Sequence, residues 1–326
     1  MKSSKIYITY KRLSSALLSK NRAAYLGMLI LLFRPFTLLL DKLFSKKISD
    51  KEFEEYKIPP CVMIVSPSRS GSTIMYQALT RMLPCVYISN LHSLFPRNAS
   101  SYMLKRKLFG KKGSPPQNYY GYTSSLTDVC EGNELIKEIT KGNPSTDKIR
   151  RRFIKLMIYI GANKEKPLIF KNVQSYKRIK ELNKAIPEMH FLRITRDTEQ
   201  VAQSMLKAYH DLGYFYYSPV NKKAHSNISP AEFSVNHLLS IEKEIKDQLN
   251  KVPEENKTHL RYEEFCANSE EITEQFMKKV LGMESNDGNF NAKGIKLTAS
   301  NRLKVSVEEA NEIKTAIEKL IVHERI

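Results

Sequence analysis

Cys61-Val62-Met63-Ile64-Val65 runs straight into Ser66-Pro67-Ser68-Arg69-Ser70-Gly71-Ser72-Thr73, and this junction sets the fold class. The first five residues are a short apolar run after Pro59-Pro60, the pattern of a strand buried on both faces. Beyond the polar turn, Ile74, Ala78, Leu79 and Met82 recur at helical spacing. A strand that feeds a tight turn into a helix aims several backbone N–H groups at one point, and the helix dipole reinforces them, so the turn is an anion site. Gly71 allows close backbone approach, Ser70, Ser72 and Thr73 add hydroxyl donors, and Arg69 adds a fixed positive charge. A Walker A loop needs a second glycine and a Lys-Ser/Thr end, and both are missing. Taken alone, the same pattern also fits an ordinary serine-capped helix.

Working outward, strands and helices alternate. Short strands are expected over residues 85–88, 168–170, 189–194 and 259–262. Helices are expected over 147–162 and 176–185, from a Thr198 cap to about Tyr209, and from Ser229-Pro230 to about Asn250. Two more start at Asn268 and at the capping box opened by Ser306. Residues 93–130, with Pro96, Pro115, Pro116 and several tyrosines, read as a long lid or acceptor loop. The alternation predicts an α/β fold: a doubly wound parallel sheet flanked by helices, with ligands at the carboxyl ends of its strands. Residues 1–57 read as a basic, partly apolar helical appendage, and residues 58–326 as one α/β domain.

A second polar junction follows residues 189–194. Arg196 sits at the strand end before Asp197-Thr198, and Ser204 falls on the second turn of the next helix. A guanidinium with a hydroxyl suits a phosphate group, although Arg196-Asp197 alone also fits a local ion pair. The two junctions together resemble the sulfotransferase superfamily that uses 3′-phosphoadenosine 5′-phosphosulfate (PAPS), nearer its bacterial and tyrosylprotein-type branch. Ser66 to Thr73 is similar to the family's 5′-phosphosulfate loop in its R-S-G-S/T-T form. Arg196 with Ser204 is similar to its 3′-phosphate motif. Pro167-Leu168-Ile169-Phe170-Lys171-Asn172 and Arg261-Tyr262-Glu263-Glu264-Phe265 are similar to two supporting elements, so the resemblance spans roughly residues 58–285. It implies a P-loop-like fold and a donor site made of Ser68, Arg69, Ser70, Gly71, Ser72, Thr73, Arg196, Ser204 and Tyr262. Its product would be adenosine 3′,5′-bisphosphate, and no metal is required.

Sulfuryl transfer is an in-line displacement governed by positioning and charge stabilisation. By the resemblance, Arg69 faces the oxygen where charge develops on the leaving phosphate, and Lys171 is a second candidate for the transferred group. The acceptor hydroxyl needs a general base. The chain departs from the family here: Asn90 stands near the place of the tyrosylprotein branch's glutamate, and Val173 where the cytosolic branch has histidine. Glu131 and His92 are the substitutes, with Glu131 slightly favoured. Tyr119-Tyr120-Gly121-Tyr122 and the aromatic run from Tyr209 to Tyr217 suit a carbohydrate, glycolipid or other small hydroxyl acceptor, or else pack as a lid.

The chain has 326 residues, 41% hydrophobic and 27% charged, which excludes a disordered protein. Cys61, Cys85, Cys130 and Cys266 lie far apart, without a C-x-x-C pair, so neither a zinc ribbon nor a disulfide framework is expected, and the compartment reads as cytoplasmic. The net charge of +19 favours anionic partners. Residues 1–50 carry ten Lys/Arg against Asp41 and Asp50, and residues 97–112 carry six basic residues and no acid. Ala23 to Phe33 is an apolar or small run that Arg34-Pro35 is expected to interrupt. The segment therefore reads as a helix pair docked on the domain or as an interfacial helix in peripheral contact with a membrane, more than as a span; no small-x-small cleavage site follows it. Two other functions fit parts of this pattern. A phosphoryl-transfer P-loop enzyme lacks its lysine and second glycine here. A basic nucleic-acid-binding protein would need a recognition helix or an aromatic RNA-binding sheet, neither of which is legible, so no nucleic-acid partner is expected.

Overall fold

The computed structural model describes residues 14, 16–43, 48–96, 118–119, 121–212, 228–284 and 297–323. Helix α1 (Arg22–Leu43) and the short α2 (Asp50–Glu54) precede the sheet. Strand β1 (Cys61–Val65) leads to α3 (Ser72–Met82), β2 (Val86–Tyr87) and α4 (Asn90–Leu94). A small hairpin of β3 (Asn118–Tyr119) and β4 (Tyr122–Thr123) follows, then α5 (Asn133–Thr140), α6 (Thr146–Ile160) and β5 (Leu168–Lys171). A 3₁₀ turn runs into α7 (Ile179–Ala185), followed by β6 (Met189–Thr195), α8 (Thr198–Leu212) and α9 (Pro230–Leu249). Last come β7 (Lys257–Arg261), α10 (Tyr262–Ala267), α11 (Ser269–Phe276) and α12 (Val307–His323).

Five strands form one sheet in the order β2-β5-β1-β6-β7, every pair parallel. This is the parallel α/β architecture expected from the alternation. β1 is central and buried at all five positions because both faces are covered. Its side chains alternate between two cores. Cys61, Met63 and Val65 join Phe153, Phe170 and Phe191 beneath α5, α6, α7 and α9. Val62 and Ile64 join Leu79, Phe265 and Phe276 beneath α3, α10 and α11. A third cluster, including Leu206, Val235 and Ile313, packs α8, α9 and α12 together.

Several boundaries differ from the sequence reading for identifiable reasons. The strand expected over 85–88 stops at Tyr87, because the Ile88 N–H is taken by the Tyr76 hydroxyl at 3.2 Å and the Ile88 carbonyl by the Cys130 N–H at 2.8 Å. Helix α8 is capped by Asp197 rather than Thr198: an Asp197 carboxylate oxygen accepts from the Gln200 N–H at 2.9 Å. Arg34-Pro35 does not interrupt the N-terminal run, and α1 continues through Pro35 for 22 residues. Proline removes one backbone donor, and one missing bond does not break a helix that packs on the hairpin and α4 with buried residues on both sides of Pro35, at Ala23, Ala24 and Gly27 before it and at Thr37 and Asp41 after it. Part of the lid, residues 97–117 and 120, lies outside the described residues, as do the basic stretch 97–112 and Tyr214 to Tyr217. The described remainder of the lid is the hairpin, turned at Gly121, and a return segment whose Val129 bridges Ser89.

Tyr76 ties this architecture together from within. It is 1% exposed, accepts from the Ile88 N–H and donates to the Ile169 carbonyl at 3.2 Å. Tyr76→Phe leaves that N–H buried without its partner, and urea unfolding is expected to show a loss of about 1–3 kcal/mol.

Candidate active site

Parallel pairing aligns the carboxyl ends of three neighbouring strands. Ile64 pairs with Lys171 and Val65 with Arg193, so the turn after β1, the end of β5 and the turn after β6 open on one side of the sheet. These are the ends that carry the three polar sequences.

The turn after β1 is held by backbone geometry. Arg69 (φ 72°) and Gly71 (φ 85°) both take left-handed conformations. Such a conformation at a non-glycine residue costs about 1–3 kcal/mol and persists only where its surroundings enforce it. The buried Ser70 hydroxyl donates to the Pro67 carbonyl at 3.0 Å and braces the turn from inside. A side chain at Gly71 would collide with the Tyr262 ring, so the glycine is required by close approach as well as by its φ. The first N–H groups of α3 have no acceptor within the helix and remain available to an anion.

The two junctions meet. The Arg69 Nε–H donates to the Ser204 hydroxyl at 3.1 Å, across 135 positions of sequence. The Arg196 guanidinium lies 4.5 Å from the centre of the Tyr262 ring, with one amino group donating to the Ser300 carbonyl at 2.9 Å. Its Nε–H is buried without an acceptor among the described residues. Tyr262 thus separates the first turn from Arg196, touching both. Burial, with help from Cys266, pushes its hydroxyl up to about 12, so it stays protonated and neutral beside these cations.

At the other end of the cleft, Lys171 Nζ donates to Glu131 Oε1 at 2.5 Å and to the Thr73 hydroxyl at 3.2 Å. Asn172 fixes the carboxylate's segment, donating to the Glu131 carbonyl at 3.0 Å and to the Asn133 side-chain oxygen at 2.9 Å. Gly132 (φ 56°) makes the turn that aims Glu131 inward, with Ile88 in the space a side chain would need. The Glu131 side chain is 12% exposed and that of Lys171 3%, so the pair is buried at the cleft floor.

The open cleft has a volume of about 280 Å³, and every site residue expected from the sequence lines it except Ser70 and His92. Ser70 faces into its own turn. His92 is 4% exposed, and its Nδ1 accepts from the Ser89 N–H at 3.0 Å as part of the capping box of α4. Asn90 likewise turns away, donating to the Thr123 hydroxyl and the Ser125 carbonyl, both at 2.8 Å. Between the two substitutes for a base, the structure brings only Glu131 to the cleft.

The cavity also contains residues that the sequence reading missed. Lys304 lines it. Lys304 Nζ donates to the Gln200 carbonyl at 3.1 Å and to its side-chain oxygen at 3.2 Å. Burial first, then the charges of Arg196 and Arg69, lower its pKa to about 8. Three cations crowded this closely, in a site that disfavours the charge of Lys304, are what a multiply charged anion neutralises. A lone lysine ahead of a capping box carries no sequence signal for this role. His237 of α9, 4% exposed, is also in the wall and stacks on Phe233; its spacing in the sequence is that of a core position.

The family model described as "Sulfotransferase family" matches residues 60–286. Sulfotransferase STF1 from Mycobacterium tuberculosis H37Rv superposes with a TM-score of 0.53 at 15% identity, over 92% of this chain and 83% of that one. Sulfotransferase STF9 from Mycobacterium avium gives 0.48 at 10% identity, over 83% and 79%. Retinol dehydratase, solved with retinol and PAP, gives 0.35 at 11% identity, over 82% of each chain. No curated protein matches the chain.

The lowered Lys304 makes a prediction about stability. Its folded pKa of about 8 lies below the value of about 10.4 for an unfolded chain, so its charge disfavours the folded state below pH 8, and that penalty is relieved as pH rises from about 8 to 10.4. Lys304→Met is therefore expected to improve Tm relative to the parent more at pH 7 than at pH 10, by thermal melts of both proteins at both pH values.

Proposed function

Since the chain belongs to the sulfotransferase family, we propose that this cleft binds PAPS and moves its sulfuryl group to the hydroxyl of a carbohydrate, glycolipid or other small acceptor. The single observation that carries the reading is the 3.1 Å bond from Arg69 to Ser204, which joins the two anion-binding turns into one cavity. The residues fit the donor. The turn of Ser68 to Thr73 supplies backbone and hydroxyl donors for its 5′ end. Arg196, with its unmatched buried Nε–H, takes the 3′-phosphate together with Ser204 and Lys304. When bound, the donor supplies a sulfuryl group on a phosphate leaving group.

The protein's part is placement and charge. Arg69 and the N-terminus of α3 hold positive potential where the leaving phosphate gains negative charge. Lys171 bridges Thr73 and Glu131, so it stands between the donor turn and the base. Glu131 accepts the proton of the attacking hydroxyl. The acceptor's place is the side of the cleft near Gly121, the hairpin residue that borders Glu131. No step in this scheme calls for a metal.

Calorimetric titration with adenosine 3′,5′-bisphosphate and adenosine 5′-monophosphate tests the donor site. The parent should prefer the bisphosphate, and Arg196→Ala should abolish most of that preference, since one charge-assisted hydrogen bond is worth about 1.5–3 kcal/mol, or roughly tenfold to 100-fold. A preference for ATP with magnesium would overturn the reading. In a labelled-donor screen over glycans, lipids and phenols, Glu131→Gln should lower kcat by about 10²–10⁴-fold with bisphosphate binding retained. Full turnover in that variant would remove Glu131 as the base.

A further inference from the structure

Helix α1 is built with inverted polarity. Its inner side, turned to the hairpin and α4, carries Ala23, Gly27, Thr37 and Asp41, all buried, with Asp41 only 1% exposed. Its opposite side carries Leu29, Leu32, Phe33, Phe36, Leu39 and Leu43, all exposed, with Leu32 at 59% and Phe36 at 60%. At 100° per residue these six fall within about one third of the helix circumference, opposite the buried set. A helix packed on a protein in water buries its Leu and Phe side and shows its polar side. The reverse arrangement, with small and polar residues against protein and large apolar ones outward, is that of a helix whose outer solvent is lipid. α1 is long and apolar enough to cross a bilayer, yet only 22% of its apolar window is buried in the protein. Because its inner side is docked along the domain, the geometry favours a helix lying in the membrane surface, with its outer side down.

Charge selects the lipid. Lys20 just before the helix, Arg22 at its start and Lys42 at its end are all exposed. Beside it, a cleft of about 520 Å³ between α1, α5 and α6 combines Arg34, Lys42, Arg152 and Lys155 with the carboxylates of Asp41 and Glu138. With four cations against two carboxylates, the domain surface beside α1 is net positive, which favours an anionic lipid surface. We propose that the outer face of α1 seats this protein on an anionic bilayer surface as an in-plane helix. This inference does not depend on the reaction carried out in the catalytic cleft.

The chain contains no tryptophan, so Phe36→Trp places a single reporter on the outer face. With vesicles of phosphatidylcholine containing a minority of phosphatidylserine, its emission should shift to the blue, and the full-length protein should float with the vesicles. Phosphatidylcholine alone should give a weaker response. Leu32→Glu with Phe36→Glu should reduce flotation at least about tenfold, because the apolar area that leaves water is lost, while adenosine 3′,5′-bisphosphate titration and the thermal melt stay those of the parent. The Phe36→Trp reading stands even if that double variant misfolds. An unshifted Trp emission with vesicles, or flotation unaffected by the double substitution, would overturn the proposal. So would a stable dimer in solution that the double substitution converts to monomer, since a second copy would then be what covers the face.

Discussion

A parallel sheet brings the carboxyl ends of its strands to one edge, and the cleft depends on that constraint. Because β5, β1 and β6 run in the same direction and in register, the segments leaving them emerge side by side. Lys171, Arg69 and Arg196 are thereby brought from three distant parts of the chain to one cavity. In an antiparallel sheet, alternate strands would deliver their ends to opposite edges. The bond between Arg69 and Ser204 is the local expression of this arrangement. It closes the space between two helix starts into a pocket with a cation at either end.

Crowding cations without an anion carries a penalty, and the structure manages it with neighbours that are neutral or opposite. Tyr262 presents its ring face to Arg196 and its edge region to Gly71, which offers the guanidinium a favourable quadrupole without neutralising it. Ser300 and Gln200 contribute carbonyl acceptors to Arg196 and Lys304. Glu131 alone supplies a full negative charge among the cleft residues described, and it is paired with Lys171 rather than with the cations at the other end. The cleft therefore has two electrical halves: a strongly positive one and a balanced ion pair. In the proposed reaction, binding of the multiply charged donor falls to the first and proton transfer to the second. The left-handed Arg69 belongs to the same design, a locally unfavourable backbone kept because the surrounding turn enforces it.

The N-terminal helix obeys a different solvent rule. Its leucines and phenylalanines were legible as an apolar run, but a run does not say which side is inside. Only the docked geometry shows Ala23, Gly27 and Asp41 turned to the domain and the large residues turned out. The same geometry explains why Pro35 fails to act as the expected breaker: buried residues anchor the helix both before and after it.

The amino-acid sequence alone determined the class of the fold and most of the residues that line the cleft, because those features are local. A buried strand, a serine- and glycine-rich turn and an amphipathic helix are contiguous, as are Arg196 and Ser204, and their meaning follows from backbone geometry within about ten residues. Tertiary structure decided what depends on residues far apart in the chain. It separated Glu131 from His92, since one side chain reaches Lys171 across the sheet and the other caps its own helix. It brought Lys304 into the cleft, where its neighbours are Arg196 after β6, Gln200 on α8 and Arg69 in the first turn rather than residues near it in sequence. Side chains that act through long-range proximity leave little local pattern, because nothing near them in the chain has to change to accommodate the role.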